Sequence, residues 1–388
     1  MDQINTGKYI VSLIKALFSE TRPEEKPDDI SFEDVYALAK KHHILNMCFY
    51  AIDRLETKPD DTLYAEWRKQ VTVSSAQSQI QLSERSSIIE TLQKNEIDCL
   101  PLKGCFLKEM YPHTDYREMA DLDILIRKED QARVKEVMES LGYHTKMYDS
   151  TNHDVYDKPP FMDVEMHVAL FSEEGRERFH AADEKIALIE DPWKHALRTE
   201  QPHVYRFSPE DTYIFLILHL AKHFNGSGTG IRQFIDILVF NQKYDLDKEY
   251  VYKTLAAADM DDFCRQAEAL VDVWFNGRKM TEDLEGMEIY IFSSGVYGNM
   301  LNRIRNRLDI MDNENKGASS ASRYVMMRAF PPLKTMRIIY PSLKKYPYLL
   351  PLTWIHRLAV KTFGKDSPAL RELKTFRKAN KLRKEENS

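Results

Sequence analysis

Asp121-Leu122-Asp123-Ile124-Leu125-Ile126 is the stretch that decides the fold. In an extended strand, residues two apart share a face, so Asp121 and Asp123 project together while Leu122 and Ile124 face the other way. Two neighbouring carboxylates repel each other. Shared divalent cations relieve that cost, and oxygen-only ligation at a partly hydrated position is what Mg²⁺ prefers. A second segment repeats the pattern, with Asp163, Glu165 and His167 alternating with Val164, Met166 and Val168. Three carboxylates from two strands can hold two cations ~3.5 to 4 Å apart, an arrangement suited to phosphoryl transfer. The competing reading is an amphipathic strand with a solvated acidic face. The apolar run around the first pair weighs against it.

Working outward, Ile97–Leu102 is a short strand candidate, Phe106–Tyr111 a helical turn and Leu122–Ile126 a second strand. A helix over Glu129–Leu141 ends at Gly142, a usual helix terminator, and Tyr143–Tyr148 returns as a strand. Val155–Tyr156 and Phe161–Leu170 form a strand pair across the turn Asp157-Lys158-Pro159-Pro160. Residues 96–170 thus make a small α/β unit. Before it, residues 3–95 show helical spacing, as in Ile10, Leu13, Ile14 and Leu17, and Ser31 with Asp34 is a capping pair ahead of a helix beginning near Phe32. After it, Glu210–Phe224, Ile231–Tyr244 and Lys248–Phe275 carry helical patterns through a region 171–310. Asp312–Ser322 reads as a polar linker within the final region 311–388, and the segment from Arg371 onward as a basic helix fraying into solvent. The fold class expected is α+β, a small mixed sheet flanked by N-terminal and C-terminal helical segments.

Composition agrees with a globular protein: 388 residues, 43% hydrophobic, 30% charged, enough for two or three domains. The longest nearly apolar stretch, Tyr213–Ala221, is too short to cross a bilayer, and the N-terminus has no secretory pattern. A cytoplasmic protein with no membrane span is expected. Cys48, Cys99, Cys105 and Cys264 show no paired C-x-x-C spacing, which suggests buried thiols rather than zinc or disulfides. The net charge is −6, yet Ala321–Ser388 carries 16 Lys and Arg against 4 Asp and Glu, so +12 at this end faces −18 in the rest. A basic end of this kind suggests docking on something acidic: nucleic acid, a membrane surface or, as favoured here, the acidic body of the protein itself. Nucleic acid is the less favoured partner, because no interleaved aromatic pattern follows Phe376.

Lys103-Gly104, Tyr111-Pro112, Arg117, Asp121-Leu122-Asp123 and Glu165-Met166-His167 together resemble the uncharacterised nucleotidyltransferase family of the DNA polymerase β-like superfamily. The likeness continues through Ser208-Pro209-Glu210-Asp211, His219 to His223 and Arg232 to Asp236. The resemblance implies that Asp121, Asp123 and Glu165 are the catalytic, metal-binding triad for Mg²⁺ (or Mn²⁺), with Asp163 the alternative third acid. It also implies that the chain moves an NMP from an NTP to an acceptor the sequence does not identify, releasing pyrophosphate. Where the superfamily has glycine followed by serine or glycine, this chain has Gly104 followed by Cys105. Lys103, Gly104 and Arg117 are the nucleotide-binding candidates, the lysine together with helix N-terminal amides meeting phosphate and the arginine adding a bidentate contact. The alternatives from other classes are a noncatalytic nucleotide-binding or interaction protein that keeps the fold, and a toxin-like enzyme modifying tRNA or protein.

Weaker candidates are His167, His219, His223 and Arg232. His219 and His223 lie four apart on one helix, as zinc ligands do, but no third ligand accompanies them, and holding the helical region against the strands or contacting nucleotide is preferred. Arg232 and Asp236 have the spacing of an intrahelical ion pair. Asn225-Gly226-Ser227-Gly228-Thr229-Gly230 joins two helices instead of following a strand, which excludes a phosphate-binding loop of the usual context.

Overall fold

The computed structural model describes residues 3–149, 151–177, 179, 186–296, 298–314, 320–333, 336–337, 340, 342–362 and 368–386. Four helices form the N-terminal region: α1 (Gln3–Phe18), α2 (Phe32–Lys41), α3 (Leu45–Ile52) and α4 (Asp61–Lys94). Ser31 caps α2 by accepting the Asp34 N–H, as its side chain in the capping position dictates. Asp60 caps α4 by accepting from Thr62 and Leu63. At 34 residues α4 is about 51 Å long, and it buries different things along its length. Trp67 and Val71 pack near its start, and Ile88 and Leu92 belong to the core beneath the sheet. Between them Gln81 donates to the Met119 carbonyl and Ser78 to that of Thr114. This polar middle holds the loop that delivers the chain to Asp121.

The sheet has five strands: β1 (Cys99–Pro101), β2 (Leu122–Ile126), β3 (His144–Met147), β4 (His153–Lys158) and β5 (Met162–His167), in the order β1-β2-β5-β4-β3. Only the β2–β5 pair is parallel. The crossover between them includes α6 (Gln131–Ser140), while the short α5 (Gly104–Leu107) follows β1. Leu122, Ile124, Ile126, Tyr156, Val164 and Met166 bury one face against Val134, Val137 and Met138 of α6. Gly142 ends that helix region with φ 83°, where a side chain would be strained.

The chain divides into two compact units, residues 1–222 with 230–296, and residues 223–229 with 297–388. In the first, the helices Ile231–Lys243, Lys248–Ala256, Asp261–Phe275 and Glu282–Ser294 follow Pro209–Gly226, which begins in this unit. In the second, Ile304, Leu308, Met311, Tyr324, Phe376 and Ala379 form a small core. Two expectations change here. Of the linker Asp312–Ser322, residues 312–314 end the helix Met300–Glu314 and 320–322 begin the helix Ser320–Ala329, while 315–319 lie outside the described residues. Among its described residues the basic terminal segment is packed, not frayed: the helix Pro368–Glu386 buries Phe376, stacked on Tyr324 with ring centroids 5.3 Å apart. An apolar stripe every third or fourth residue was hidden among its lysines and arginines. The four cysteines are free and buried, and no helix among the described residues is long and apolar enough to cross a membrane.

Candidate active site

The face of the sheet opposite α6 carries the acids. Parallel register sets Asp123 directly opposite Glu165, and antiparallel register sets His153 opposite His167. Three adjacent strands therefore contribute four polar groups to one face. His167 Nε2 lies 2.8 Å from Asp123 Oδ1 and 3.3 Å from Glu165 Oε2, and His153 Nε2 lies 3.7 Å from Glu165 Oε1. Lys103 Nζ reaches within 3.5 Å of Asp123 Oδ2 from the other side.

These contacts separate the two aspartates electrostatically. Burial and the adjacent Asp123 carboxylate push the Asp121 carboxyl up to about 6. Burial opposes ionisation of Asp123 as well, but Lys103 and the hydrogen bond with His167 outweigh it, and its carboxyl lies well below the usual range. Glu165 is also lowered, burial being overcome chiefly by the hydrogen bond with His167. His167 is raised in return, against its own burial, by Asp123 and Glu165. Carboxylates and imidazoles thus stand together on this face, with the Lys103 ammonium beside Asp123, and the carboxylate oxygens and imidazole nitrogens are donors that fit divalent cations. His153, Glu165 and His167 each offer a ligand atom within 4.8 Å of the others.

Lys103 stands at a strained backbone position, φ 32° and ψ −105°. The helical turn begins at Gly104, two residues before its expected start, and its amides are used internally. Cys105 N–H donates to Leu102, and those of Phe106 and Leu107 donate to Lys103. The Cys105 thiol points inward and donates to the Asp123 carbonyl at 3.0 Å. Gly104 sits in close quarters: a Cβ there would lie 3.0 Å from Met119 Sδ and 3.1 Å from Arg117 Nη1, so those side-chain ends would have to shift slightly.

Arg117 is buried, and its Nε and Nη2 donate to Asp236 at 2.7 and 3.0 Å. Tyr111 donates to the same carboxylate at 2.7 Å. The expected Arg232–Asp236 pair is therefore not formed. With both Asp236 oxygens taken, Arg232 Nη1 donates instead to the Glu118 carbonyl. Asp163 is exposed and bonds Lys146 at 2.7 Å, away from the Asp123–Glu165 pair. The His219 ring packs 6.3 Å from Phe215, His223 lies in the second unit, and the group of candidate ligands found among the described residues is His153, Glu165 and His167. His153 is the residue the sequence reading missed. The signal was available: a hairpin turning at Pro159-Pro160 pairs residues equidistant from Pro160, and His153 then falls opposite His167. Beside Lys103 a cavity of about 460 Å³ opens, lined by Phe106, Phe207, Phe215, Phe240 and Tyr244.

A mixed sheet with acids paired across adjacent parallel strands, a lysine beside one of them and a roomy cavity alongside is the arrangement of a nucleotidyltransferase. Within that class the chain belongs to the uncharacterised nucleotidyltransferase family, whose sequence profile matches residues 28–276. No curated protein matches the chain. Among solved structures, that of the antibiotic-resistance factor ANT(2'')-Ia in solution is similar at 13% identity and a TM-score of 0.34, covering 49% of this chain and 96% of that one.

Proposed function

We propose that the chain transfers an NMP from an NTP to an acceptor nucleophile, releasing pyrophosphate, with Asp121, Asp123 and Glu165 as the acids of the reaction. The supporting observation is the direct opposition of Asp123 and Glu165 on parallel strands, next to an Asp121 whose carboxyl burial and Asp123 make costly to ionise. Divalent cations, Mg²⁺ among them, would be held by these three carboxylates and would supply neutralisation of the leaving pyrophosphate and activation of the acceptor.

The remaining roles belong to the chain. Lys103, 3.5 Å from Asp123, lies where a triphosphate oxygen would meet its ammonium. The internal use of the 105–107 amides leaves that side chain, more than the backbone, as the phosphate contact. Arg117 keeps its guanidinium on Asp236 and is assigned to holding the loop 111–117 on the helix Ile231–Lys243, with Nη1 alone turned toward Gly104. Glu165, kept ionised by His167, is the group to accept the proton of an acceptor hydroxyl. The aromatic-lined cavity beside Lys103 has the size of a small-molecule site and would take the base or an apolar part of the acceptor. A noncatalytic nucleotide-binding role is favoured by one observation, the inward-facing Cys105 that replaces a phosphate-binding hydroxyl.

The test is pyrophosphate release from each NTP by the full-length protein, with and without Mg²⁺, in the presence of cell extract carrying labelled NTP. Cation-dependent release with label appearing in one product supports transfer. NTP binding without release under any condition supports the noncatalytic reading.

A further inference from the structure

Oxygen-only ligation is the usual expectation for a Mg²⁺-type site, yet on this sheet two imidazoles stand among the carboxylates. His153 and His167 face each other across β4 and β5, their ring centroids 5.0 Å apart. Both rings approach Glu165, and His167 also approaches Asp123. Metal ligands of nitrogen and oxygen sit ~2.0 to 2.2 Å from the ion. Two such atoms on one ion are therefore ~3.0 Å apart at a right angle and ~3.4 Å apart at a tetrahedral angle. The three contacts of 2.8, 3.3 and 3.7 Å bracket those edges.

His153 is otherwise unexplained. Its Nδ1 is buried with no hydrogen-bond partner among the described residues, and its Nε2 is too far from Glu165 to hydrogen-bond. A buried imidazole nitrogen left unsatisfied costs free energy, and ligation by the other nitrogen supplies a reason to keep the ring there. Asn152 Nδ2 lies 3.5 Å from His167 Nδ1 and 3.3 Å from the Ala169 carbonyl. The carbonyl is the better partner, so nothing among the described residues holds His167 Nδ1 as an acceptor, and the proton that Nε2 donates to Asp123 is the one a bound cation would displace.

We infer that His153, Glu165 and His167, with Asp123 at their edge, form a site for a first-row transition-metal dication, a mixed nitrogen–oxygen donor set that shares Asp123 and Glu165 with the all-oxygen triad Asp121, Asp123 and Glu165. Imidazole shifts preference away from Mg²⁺ and toward the Co²⁺, Ni²⁺ and Zn²⁺ end of the series. The inference rests on the reading of Asp123 and Glu165 as metal ligands, but it does not need turnover.

The experiment strips the full-length protein with a chelator and titrates it calorimetrically with Co²⁺ and, separately, Mg²⁺, without nucleotide. The visible absorption of the Co²⁺ form is followed in parallel. One equivalent of Co²⁺ is expected to bind at least about a hundredfold more tightly than Mg²⁺. His153→Ala should weaken Co²⁺ by at least about tenfold and alter its ligand-field band while leaving Mg²⁺ affinity within about twofold. Equal affinities for the two ions, or Co²⁺ binding indifferent to His153→Ala, would overturn the inference. If that variant does not fold, the NMR spectrum of Co²⁺-loaded wild type decides: strongly shifted exchangeable imidazole resonances support the site, and their absence overturns it. Pyrophosphate release measured on the same samples separates the two proposals, since turnover with Mg²⁺ and no Co²⁺ site overturns this one alone.

Discussion

Arg117 and Asp236 lie 119 positions apart in sequence and meet in a buried two-point salt bridge, Nε to Oδ1 at 2.7 Å and Nη2 to Oδ2 at 3.0 Å. It ties the loop that leads into β2 to the helix Ile231–Lys243, and Tyr111 closes the network on the same carboxylate. Removing one partner leaves an uncompensated buried charge, a loss of about 3–5 kcal/mol. Asp236→Ala is expected to lower the unfolding free energy by that amount in urea titrations. Arg117→Lys, which cannot make the two-point contact, should also destabilise. A fully stable Arg117→Lys with reduced NTP affinity would return Arg117 to the phosphate.

The two aspartates should respond differently to amide substitution. Both Asp121→Asn and Asp123→Asn should reduce pyrophosphate release by more than about a hundredfold, beyond what outer partners of a metal site typically contribute. Without cations, Asp121→Asn should raise stability by about 1–3 kcal/mol at pH 7, because it removes a charge that burial and Asp123 disfavour. Asp123→Asn should lower it, because Lys103 and His167 lose their anion. Thermal melts in chelator check both signs.

Asp121 also gives a pH dependence. Its folded carboxyl titrates near 6, above the ordinary aspartate value of 3.8, so between those values the folded state holds more proton. Its contribution to stability is fully present below pH ~4 and is lost as pH rises through about 6. Comparing the stability–pH profiles of wild type and Asp121→Asn in chelator should show this difference, and parallel profiles would contradict it.

His42 works in the opposite direction. It is fully buried, accepts the Ile231 N–H at Nδ1, and bonds the Phe292 carbonyl through Nε2 at 3.2 Å, so the neutral ring satisfies both neighbours. Burial and Lys41 push it down to about 3 from 6.5. Below pH 6.5 the unfolded chain takes a proton that the folded chain refuses, and stability falls by up to about 1.4 kcal/mol per pH unit until pH ~3. His42→Gln should remove that slope, at a cost of about 1–3 kcal/mol at pH 7 for the hydrogen bond that one amide cannot replace.

For the basic C-terminal helix, packing and charge can be separated. Phe376→Ala should cost about 3 kcal/mol in the second unit by emptying the stack on Tyr324. Replacing the exposed Lys374, Arg377 and Lys378 with Gln should change stability by less than about 0.5 kcal/mol. RNA binding is expected to be negligible before and after. Salt-sensitive binding abolished by the glutamines would instead make the helix an RNA anchor.

The sequence alone determined what depends on local periodicity. Alternation placed β2 at Leu122–Ile126 without error. It also put Glu165 and His167 on one face of β5, and the helical spacing of Ile231–Lys243 was plain. Family motifs gave the class, and with it the acids that are proposed for the reaction. Tertiary structure decided what depends on register and on contacts between distant segments. Strand pairing put His153 against His167 and set Glu165, not Asp163, opposite Asp123. Chain folding gave Asp236 to Arg117 instead of to Arg232, because a buried guanidinium needs a matched anion and the i,i+4 pair on one helix is worth only ~0.2–0.5 kcal/mol. The apolar stripe of the last helix was likewise concealed by its charge until Tyr324 was found beneath Phe376. Periodicity is a property of neighbouring residues, whereas ion pairs and metal sites join groups that the chain brings together only when the sheet closes its register.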